Sequence, residues 1–117
     1  MRNIAFYRTE SDATPVEDFL DSLSSKQAQR VAWVLRLIED IDSVPAQYFK
    51  KLPGTEDLWE VRVQSASDII RLLGFLAGSR SLVLTNGFAK KTMKIPAREI
   101  ALAERRKRDY LKRSKDQ

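Results

Sequence analysis

Three strand-like runs follow one another closely in the second half of the chain. They span about Leu58–Val63, Asp68–Leu76 and Leu82–Phe88, and each is rich in branched and aromatic residues. The links between them hold only a few residues, and the second link contains Gly78. Links this short join antiparallel strands, because a parallel pair needs a crossover of about a dozen residues or more. The chain is therefore predicted to build its core around an antiparallel meander.

Helical segments with recognisable start signals precede this meander. Thr14 is predicted to cap a first helix, with Pro15 at its first position and Glu17 completing a capping box. A second capping box at 24–27 opens a helix that reaches about Ile41. Two helices joined so tightly are expected to form an antiparallel hairpin.

A short strand at 3–7 and a last helix complete the order β-α-α-β-β-β-α. The last helix begins at Pro96, and its expected core-facing residues are Ile100, Ala103, Tyr110 and Leu111. We therefore predict one α+β domain, 1–117, with a small antiparallel sheet. The helical hairpin should pack on one face of the sheet, while the other face stays at least partly open.

The sequence contains neither cysteine nor histidine. This excludes disulfides, thiolate nucleophiles, histidine-based acid–base catalysis and most transition-metal sites. We therefore predict no metal and no cofactor. Since no apolar stretch approaches the roughly 20 residues of a membrane span, we expect a cytoplasmic protein without membrane contact.

Positive charge is concentrated at the end of the chain. Residues 1–89 carry a net charge of −2, whereas residues 90–117 carry +7. A charge run is often only a solvated surface. Here the basic segment adjoins a predicted strand, which favours a surface that binds phosphate. The residues expected to contact RNA from this segment are Lys94, Arg98, Arg105, Arg106 and Arg108.

Charged side chains also interrupt two of the predicted strands. Glu60 and Arg62 are two residues apart and should project from one face of their strand. Arg71 stands alone in the apolar run of the next strand. An arginine in such a place either pairs with a carboxylate, here Glu60, or faces an open groove. The first alternative is structural and the second is functional.

Together with Lys90, Lys91 and Lys94, these charges would form a cationic pocket that contains one acid. Such a set suits cleavage of RNA by its own 2′-hydroxyl, which needs a base, cations near the phosphorane and an acid for the departing 5′-oxygen. Glu60 is the base candidate, and Arg62 and Arg71 are candidate phosphate ligands. A lysine could supply the proton, although each lysine could equally be a solvated cation that only steers RNA.

Two segments resemble the hallmark of RelE/HigB-type toxins, especially their phage-derived HigB-like branch. They read LWEVRV at 58–63 and NGFAKKTMKIPAREIALAERRKRDY at 86–110. In that branch a strand L-W-E-L-R precedes an arginine-containing strand, a G-F-x-K-K-T-x-K-x-P segment and a basic helix ending in tyrosine. The order of elements agrees as well, so the resemblance covers almost the whole chain.

The resemblance implies a ribosome-dependent mRNA endonuclease that a cognate antitoxin neutralises. The antitoxin would be HigA-like, with a helix-turn-helix, and any contact with DNA would be made through it. The residues that correspond to the family's site are Phe88, expected to contact RNA, and the expected catalytic residues Glu60, Arg62, Arg71, Lys90 and Lys91. Some relatives have histidine or tyrosine where this chain has Phe88 and lysines, so the general acid is not assigned.

Two other functions are compatible with the sequence. One is a basic module that binds RNA or the ribosome without cutting, and the other is a decayed toxin that binds only its antitoxin. The carboxylate of Glu60 favours catalysis, because binding phosphate alone requires no acid. Trp33 and Leu37 on the second helix could contact the antitoxin or, as we expect first, be buried beneath the sheet.

Overall fold

A computed structural model describes residues 1–115 of the protein. Five strands form one mixed sheet with three helices, which confirms the predicted α+β class. In chain order the elements are β1 (Asn3–Phe6), α1 (Pro15–Asp21), α2 (Ser25–Asp40), β2 (Phe49–Lys51), β3 (Leu58–Ser65), β4 (Asp68–Ala77), β5 (Ser81–Lys90) and α3 (Ala97–Lys115).

The strand order is β1-β5-β4-β3-β2, and the predicted meander is present as β3, β4 and β5. The sheet is not purely antiparallel as predicted, because β1 pairs parallel with β5. The chain can make this parallel pair because two helices and three strands separate β1 from β5. An additional edge strand, β2, pairs with β3. Its three residues, two of them lysines, are too few to show an alternating pattern.

The two predicted helix starts have different capping. The capping box of α2 is confirmed, since Ser24 Oγ accepts from the Gln27 N–H and the Gln27 side chain accepts from the Ser24 N–H. Thr14 precedes α1 but makes no side-chain cap, so the predicted capping box with Glu17 is wrong. The backbone of Thr14 (φ −120°, ψ 78°) departs from the extended conformation of Ser24 (φ −65°, ψ 160°). None of the helices in residues 1–115 has the length and apolarity needed to cross a membrane.

Helices pack on both faces of the sheet, whereas the sequence predicted one face at least partly open. On one face α1 and α2 cover the main core, where Val16 is fully buried. On the other face lies α3, with Ala103 fully buried and the Tyr110 ring 5.4 Å from the Phe75 ring. Leu111, predicted to face the core, is instead exposed. It follows Tyr110 directly, and adjacent helix positions point about 100° apart.

A β-bulge interrupts the pairing of β4 with β5 between Leu73 and Gly74. A Cβ at Gly74 would overlap the carbonyl oxygen of Val83, a backbone atom that cannot move without shifting β5. We therefore expect Gly74→Ala to lower the free energy of unfolding by about 1–3 kcal/mol, the usual cost of overpacking. Urea unfolding measures this cost, and a loss below about 0.5 kcal/mol, as at ordinary surface sites, would contradict this close approach of the strands.

A polar contact joins the C-terminal half of α3 to the residue after β1. Tyr7 Oη donates to Asp109 Oδ2 at 2.5 Å, and Arg113 pairs with the same oxygen at 2.7 Å. Burial and the hydrogen bond to Asp109 raise the pKa of Tyr7. The Tyr7 hydroxyl, together with Arg113, lowers the pKa of Asp109. The folded state thus favours a neutral tyrosine beside an ionised aspartate.

Replacing Tyr7 with phenylalanine is expected to flatten the pH dependence of stability at both ends. An aspartate with a lowered pKa stabilises the folded state above about pH 4, and that stabilisation is lost as the pH falls further. A tyrosine with a raised pKa stabilises below about pH 10, and that stabilisation is lost as the pH rises further. Urea unfolding at pH values from below 4 to above 10 measures the loss of stability at the acidic and the basic end. Tyr48→Phe, beside β2, is the control. An unchanged profile in Tyr7→Phe would contradict the contact.

Candidate functional site

Strands β3, β4 and β5 bring most of the predicted site residues onto the sheet face that carries α3. Arg62 lies directly opposite Arg71 in the register of β3 and β4, and Arg71 lies opposite Phe88 of β5. Glu60 lies two residues before Arg62 and Lys90 lies two residues after Phe88, so their side chains project from the same face. The predicted alternation of β3 therefore places the charges together.

Glu60 is the centre of a buried ion cluster, which we call the Glu60 cluster: Glu60, Arg62 and Arg71. Arg71 Nε donates to Glu60 Oε2 at 2.8 Å, and Arg62 Nη2 donates to Glu60 Oε1 at 3.1 Å. The side chains of Glu60 and Arg71 are fully buried, whereas that of Arg62 keeps 19% of its surface exposed. The Glu60–Arg71 pair that the sequence offered as the structural alternative is thus formed, and Arg62 is the member that reaches solvent.

Arg71 also binds the turn that follows β5. Its Nη2 donates to the backbone carbonyls of Thr92, at 2.8 Å, and Met93, at 2.7 Å. Its Nη1 is buried and has no hydrogen-bond partner within residues 1–115. The sequence did not indicate these two acceptors, because a backbone carbonyl is present at every residue. Arg71 therefore links the carboxylate of Glu60 to the turn at residues 91–94.

The three lysines predicted to act with the cluster lie at the end of β5 and on this turn. Lys90 is half-buried, while Lys91 and Lys94 are exposed. The ion pairs formed within residues 1–115 include none of these three lysines. Arg98, in the first turn of α3, is exposed and lies 3.9 Å from Glu99. The strand end and the turn thus present unpaired positive charge beside the Glu60 cluster.

Phe88, predicted to contact RNA, is mostly buried. It is 8% exposed and packs with Leu58, Leu73 and Ile95 between the sheet and α3. A ring in this position supports the sheet face that carries Arg71 and has little surface to offer a nucleotide.

The arginines in the C-terminal half of α3 do not join the Glu60 cluster. Arg106 Nη1 donates to the Thr85 carbonyl at 2.7 Å, next to the β-bulge, and Arg108 pairs with Glu56 at 2.5 Å. Arg105 is exposed. Glu56 precedes β3, whereas Arg62 lies in the second half of that strand. This half of the helix therefore lies toward the opposite end of the sheet, and two of its three predicted RNA ligands have structural partners.

A groove that the sequence did not predict begins at Arg62. Gln47, Tyr48 and Gln64 line it with Arg62, and the same three residues continue into a second groove beside Trp33. β2 pairs only with residues 59–61 of β3. The two grooves therefore follow the edge of β3 beyond Phe49, the first residue of β2. Trp33, expected beneath the sheet, is instead 56% exposed. We call the two grooves together the edge groove, lined by Arg30, Trp33, Val34, Gln47, Tyr48, Arg62, Val63 and Gln64.

Comparison with known proteins identifies the family of the chain. A search of curated proteins found no match. Residues 18–108 match the family described as phage derived protein Gp49-like (DUF891). This span begins in α1 and ends in α3, so it contains the Glu60 cluster, the turn at 91–94 and the edge groove. It covers more than three quarters of the sequence, and the chain therefore belongs to the Gp49-like family of phage-derived proteins.

Proposed function

We propose that this protein is the toxin of a toxin–antitoxin pair and that it cleaves mRNA on the ribosome. Membership of the Gp49-like family supports a toxin-like protein. The resemblance of the segments at 58–63 and 86–110 to RelE/HigB-type toxins supports the finer assignment to mRNA cleavage.

One observation carries this proposal: Arg71 joins a carboxylate to a lysine-bearing turn. Its Nε binds Glu60 and its Nη2 binds the carbonyls of Thr92 and Met93, which lie between Lys91 and Lys94. Cleavage of a phosphodiester requires cations that are already positioned around one acid, because negative charge grows on the phosphorane. Arg71 is then a positioning residue, since it is fully buried.

In the proposed reaction the 2′-hydroxyl of the RNA attacks the adjacent phosphorus and the bond to the 5′-oxygen breaks. The hydroxyl proton passes to Glu60, and a lysine of the 90–94 segment protonates the departing 5′-oxygen. The products are a 2′,3′-cyclic phosphate and a free 5′-hydroxyl. Arg62 and the lysines offset the charge of the phosphorane, and attack by the RNA's own 2′-hydroxyl requires no metal or cofactor.

For this reaction Arg62 must exchange partners. In the free protein its guanidinium binds the Glu60 carboxylate, which has no exposed surface. A phosphate oxygen of the RNA offers the same guanidinium an equivalent anionic acceptor. When Arg62 turns to the phosphate, an oxygen of Glu60 becomes free to accept the proton. Arg71 meanwhile keeps the carboxylate in place through Nε.

The proposed partners follow from the same chemistry. The ribosome would supply both the mRNA and a phosphate-rich surface for the exposed cations Lys91, Lys94, Arg98 and Arg105, so binding should weaken steeply as salt is added. A HigA-like helix-turn-helix antitoxin would neutralise the toxin, and DNA would be contacted only through that antitoxin.

Induced expression in a bacterial host, with the 5′ ends of mRNA mapped, tests this function. We expect growth arrest and new in-frame cuts that are confined to translated messages. The control is a reporter whose start codon is removed, so that the same RNA is present without elongating ribosomes. Cuts of equal frequency in both reporters would contradict dependence on the ribosome, and arrest without cuts would contradict cleavage.

The complete burial of Glu60 favours one alternative, a basic module that binds RNA or the ribosome without cutting. In that case the carboxylate only fixes the two arginines, and no proton transfer takes place. Purified protein added to a translation reaction separates the two functions. Inhibition with intact mRNA would favour the binding module, whereas cut mRNA bearing 2′,3′-cyclic phosphate ends would favour the endonuclease.

A further inference from the structure

We propose that the edge groove binds a nucleobase of single-stranded RNA by stacking on Trp33, next to the phosphate held at Arg62. The inference rests on the proposed function in one respect: if the protein cleaves mRNA, the bound base belongs to a nucleotide that flanks the cleaved bond. It names a binding subsite at the β3 edge of the sheet, whereas the lysine-bearing turn follows β5.

The aromatic rings at the groove form a surface of the kind that nucleobases stack on. Trp33 is 56% exposed although it belongs to a helix that covers the core, and its ring lies edge-on to Tyr48 with centroids 5.6 Å apart. Tyr48 holds the indole from one side and leaves much of its surface in solvent. Stacking on such a ring tolerates any base, because every base has a π-face.

The remaining lining combines the apolar Val34 and Val63 with side chains that suit the polar parts of a nucleotide. Gln47 and Gln64 bring amide donors and acceptors, which can bond to base edges or sugar hydroxyls. Arg30 lies beside them, with Nη1 donating to the Gln64 carbonyl at 3.1 Å. The part of the groove beside Trp33 measures about 350 Å³, within the roughly 300–1,000 Å³ of small-ligand sites.

Continuity with the Glu60 cluster identifies the occupant as RNA. Gln47, Tyr48 and Gln64 line both parts of the edge groove, so the path from Trp33 to Arg62 is unbroken. The N–H of Arg62 donates to the Tyr48 carbonyl at 2.8 Å, which fixes the aromatic residue to the strand that carries the arginine. An aromatic surface, two amides and one arginine in each part of the groove match a chain of alternating bases and phosphates.

Fluorescence of Trp33 measures this binding directly. Trp59→Phe removes the other tryptophan, which stacks on Phe49 and packs against the core, so that Trp33 is the remaining reporter. The probe is a short oligoadenylate methylated at every 2′-oxygen, which the proposed reaction cannot cleave. An abasic strand of equal length supplies the same phosphates without bases. We expect the oligoadenylate to quench Trp33 and the abasic strand to leave it unchanged.

Affinities of Trp33→Leu and Trp33→Phe, measured with labelled probe and Trp59 intact, complete the test. Loss of one stacked base should weaken binding about 5- to 160-fold in Trp33→Leu, while Trp33→Phe keeps an aromatic ring and should change it far less. Neither substitution alters charge, so phosphate attraction stays constant. Equal quenching by both strands, or equal affinity of all variants, would overturn the inference. Absence of quenching by either strand would overturn it too and leave a protein partner as the occupant.

The outcome is separable from that of the proposed function, because the probe cannot be cleaved. Quenching by the oligoadenylate in a protein that cuts no mRNA would keep the subsite and reject the endonuclease. Ribosome-dependent cuts with no contribution from Trp33 would keep the endonuclease and reject the subsite.

Discussion

Glu60→Ala is expected to lower the free energy of unfolding by about 3–5 kcal/mol, the usual cost of removing one partner from a buried ion pair. The substitution would leave the guanidinium of Arg71, which has no exposed surface, without its carboxylate. Arg62 would lose the same partner, although it can turn toward solvent. Domains of this kind are stable by about 5–15 kcal/mol, so the loss would take a large share of the total. Urea unfolding followed by circular dichroism measures it.

Two further variants show whether the buried charge left on Arg71 causes the loss of stability in Glu60→Ala. Glu56→Ala removes a carboxylate that pairs with Arg108 in a half-exposed position, and it should cost no more than about 1 kcal/mol. The double variant Glu60→Leu with Arg71→Met should be less destabilised than the sum of its single variants, because neither residue then leaves a buried charge behind. If Glu60→Ala costs no more than Glu56→Ala, the buried cluster is not present in solution.

The parts of the fold that the sequence predicted are those with local signals. β3, β4 and β5 alternate or run apolar between short links, and the capping box of α2 lies within four residues. The parts that it did not predict depend on distant partners. β2 forms because Phe49 pairs with Val61 of β3, and β1 is parallel because its partner is β5, which the chain reaches only after two helices and three strands.

The site was predictable as a set of residues but not as a set of roles. Alternation placed Glu60 and Arg62 on one face, and the register of β4 added Arg71 to them. Their burial follows from α3 and from the turn at residues 91–94, whose positions no local pattern encodes. The fully buried Arg71 binds backbone carbonyls of the turn. Arg62 is only partly buried, so it is the arginine that can reach solvent. A substitution at Arg71 therefore tests the fold first and cannot test phosphate binding alone.

The edge groove likewise could not be predicted from local sequence patterns. Trp33 is a large aromatic residue, which favoured burial in the sequence. In the structure Val31, Val34 and Ile38 form the buried side of the helix, and Trp33 lies beside it. Its neighbours Tyr48 and Gln64 come from a loop and a strand that meet α2 only in the folded chain.

Arg62→Ala and Lys91→Ala are each expected to reduce cleavage of translated mRNA about 10²- to 10³-fold, the usual loss when one group that stabilises transition-state charge is removed. Lys91 is exposed, so its removal should change stability by no more than about 0.5 kcal/mol. Arg62 donates to Glu60, and its removal should cost about 1.5–3 kcal/mol while Arg71 keeps the carboxylate paired. Both variants should therefore remain folded, which circular dichroism checks. The cut fraction of a reporter mRNA in a translation reaction measures the activity.

A matched control separates a local effect from a loss of general positive charge. Arg80→Ala removes one exposed arginine beside the start of β5, at the opposite end of that strand from Lys90. If Lys91 only steers RNA through the total charge of the protein, Arg80→Ala and Lys91→Ala should lower activity equally. Catalysis at the Glu60 cluster predicts a large loss for Lys91→Ala and nearly full activity for Arg80→Ala. Equal, small losses in both would assign the lysine to steering, whereas a folded Arg62→Ala protein with full activity would contradict the proposed exchange of Arg62 from Glu60 to the phosphate.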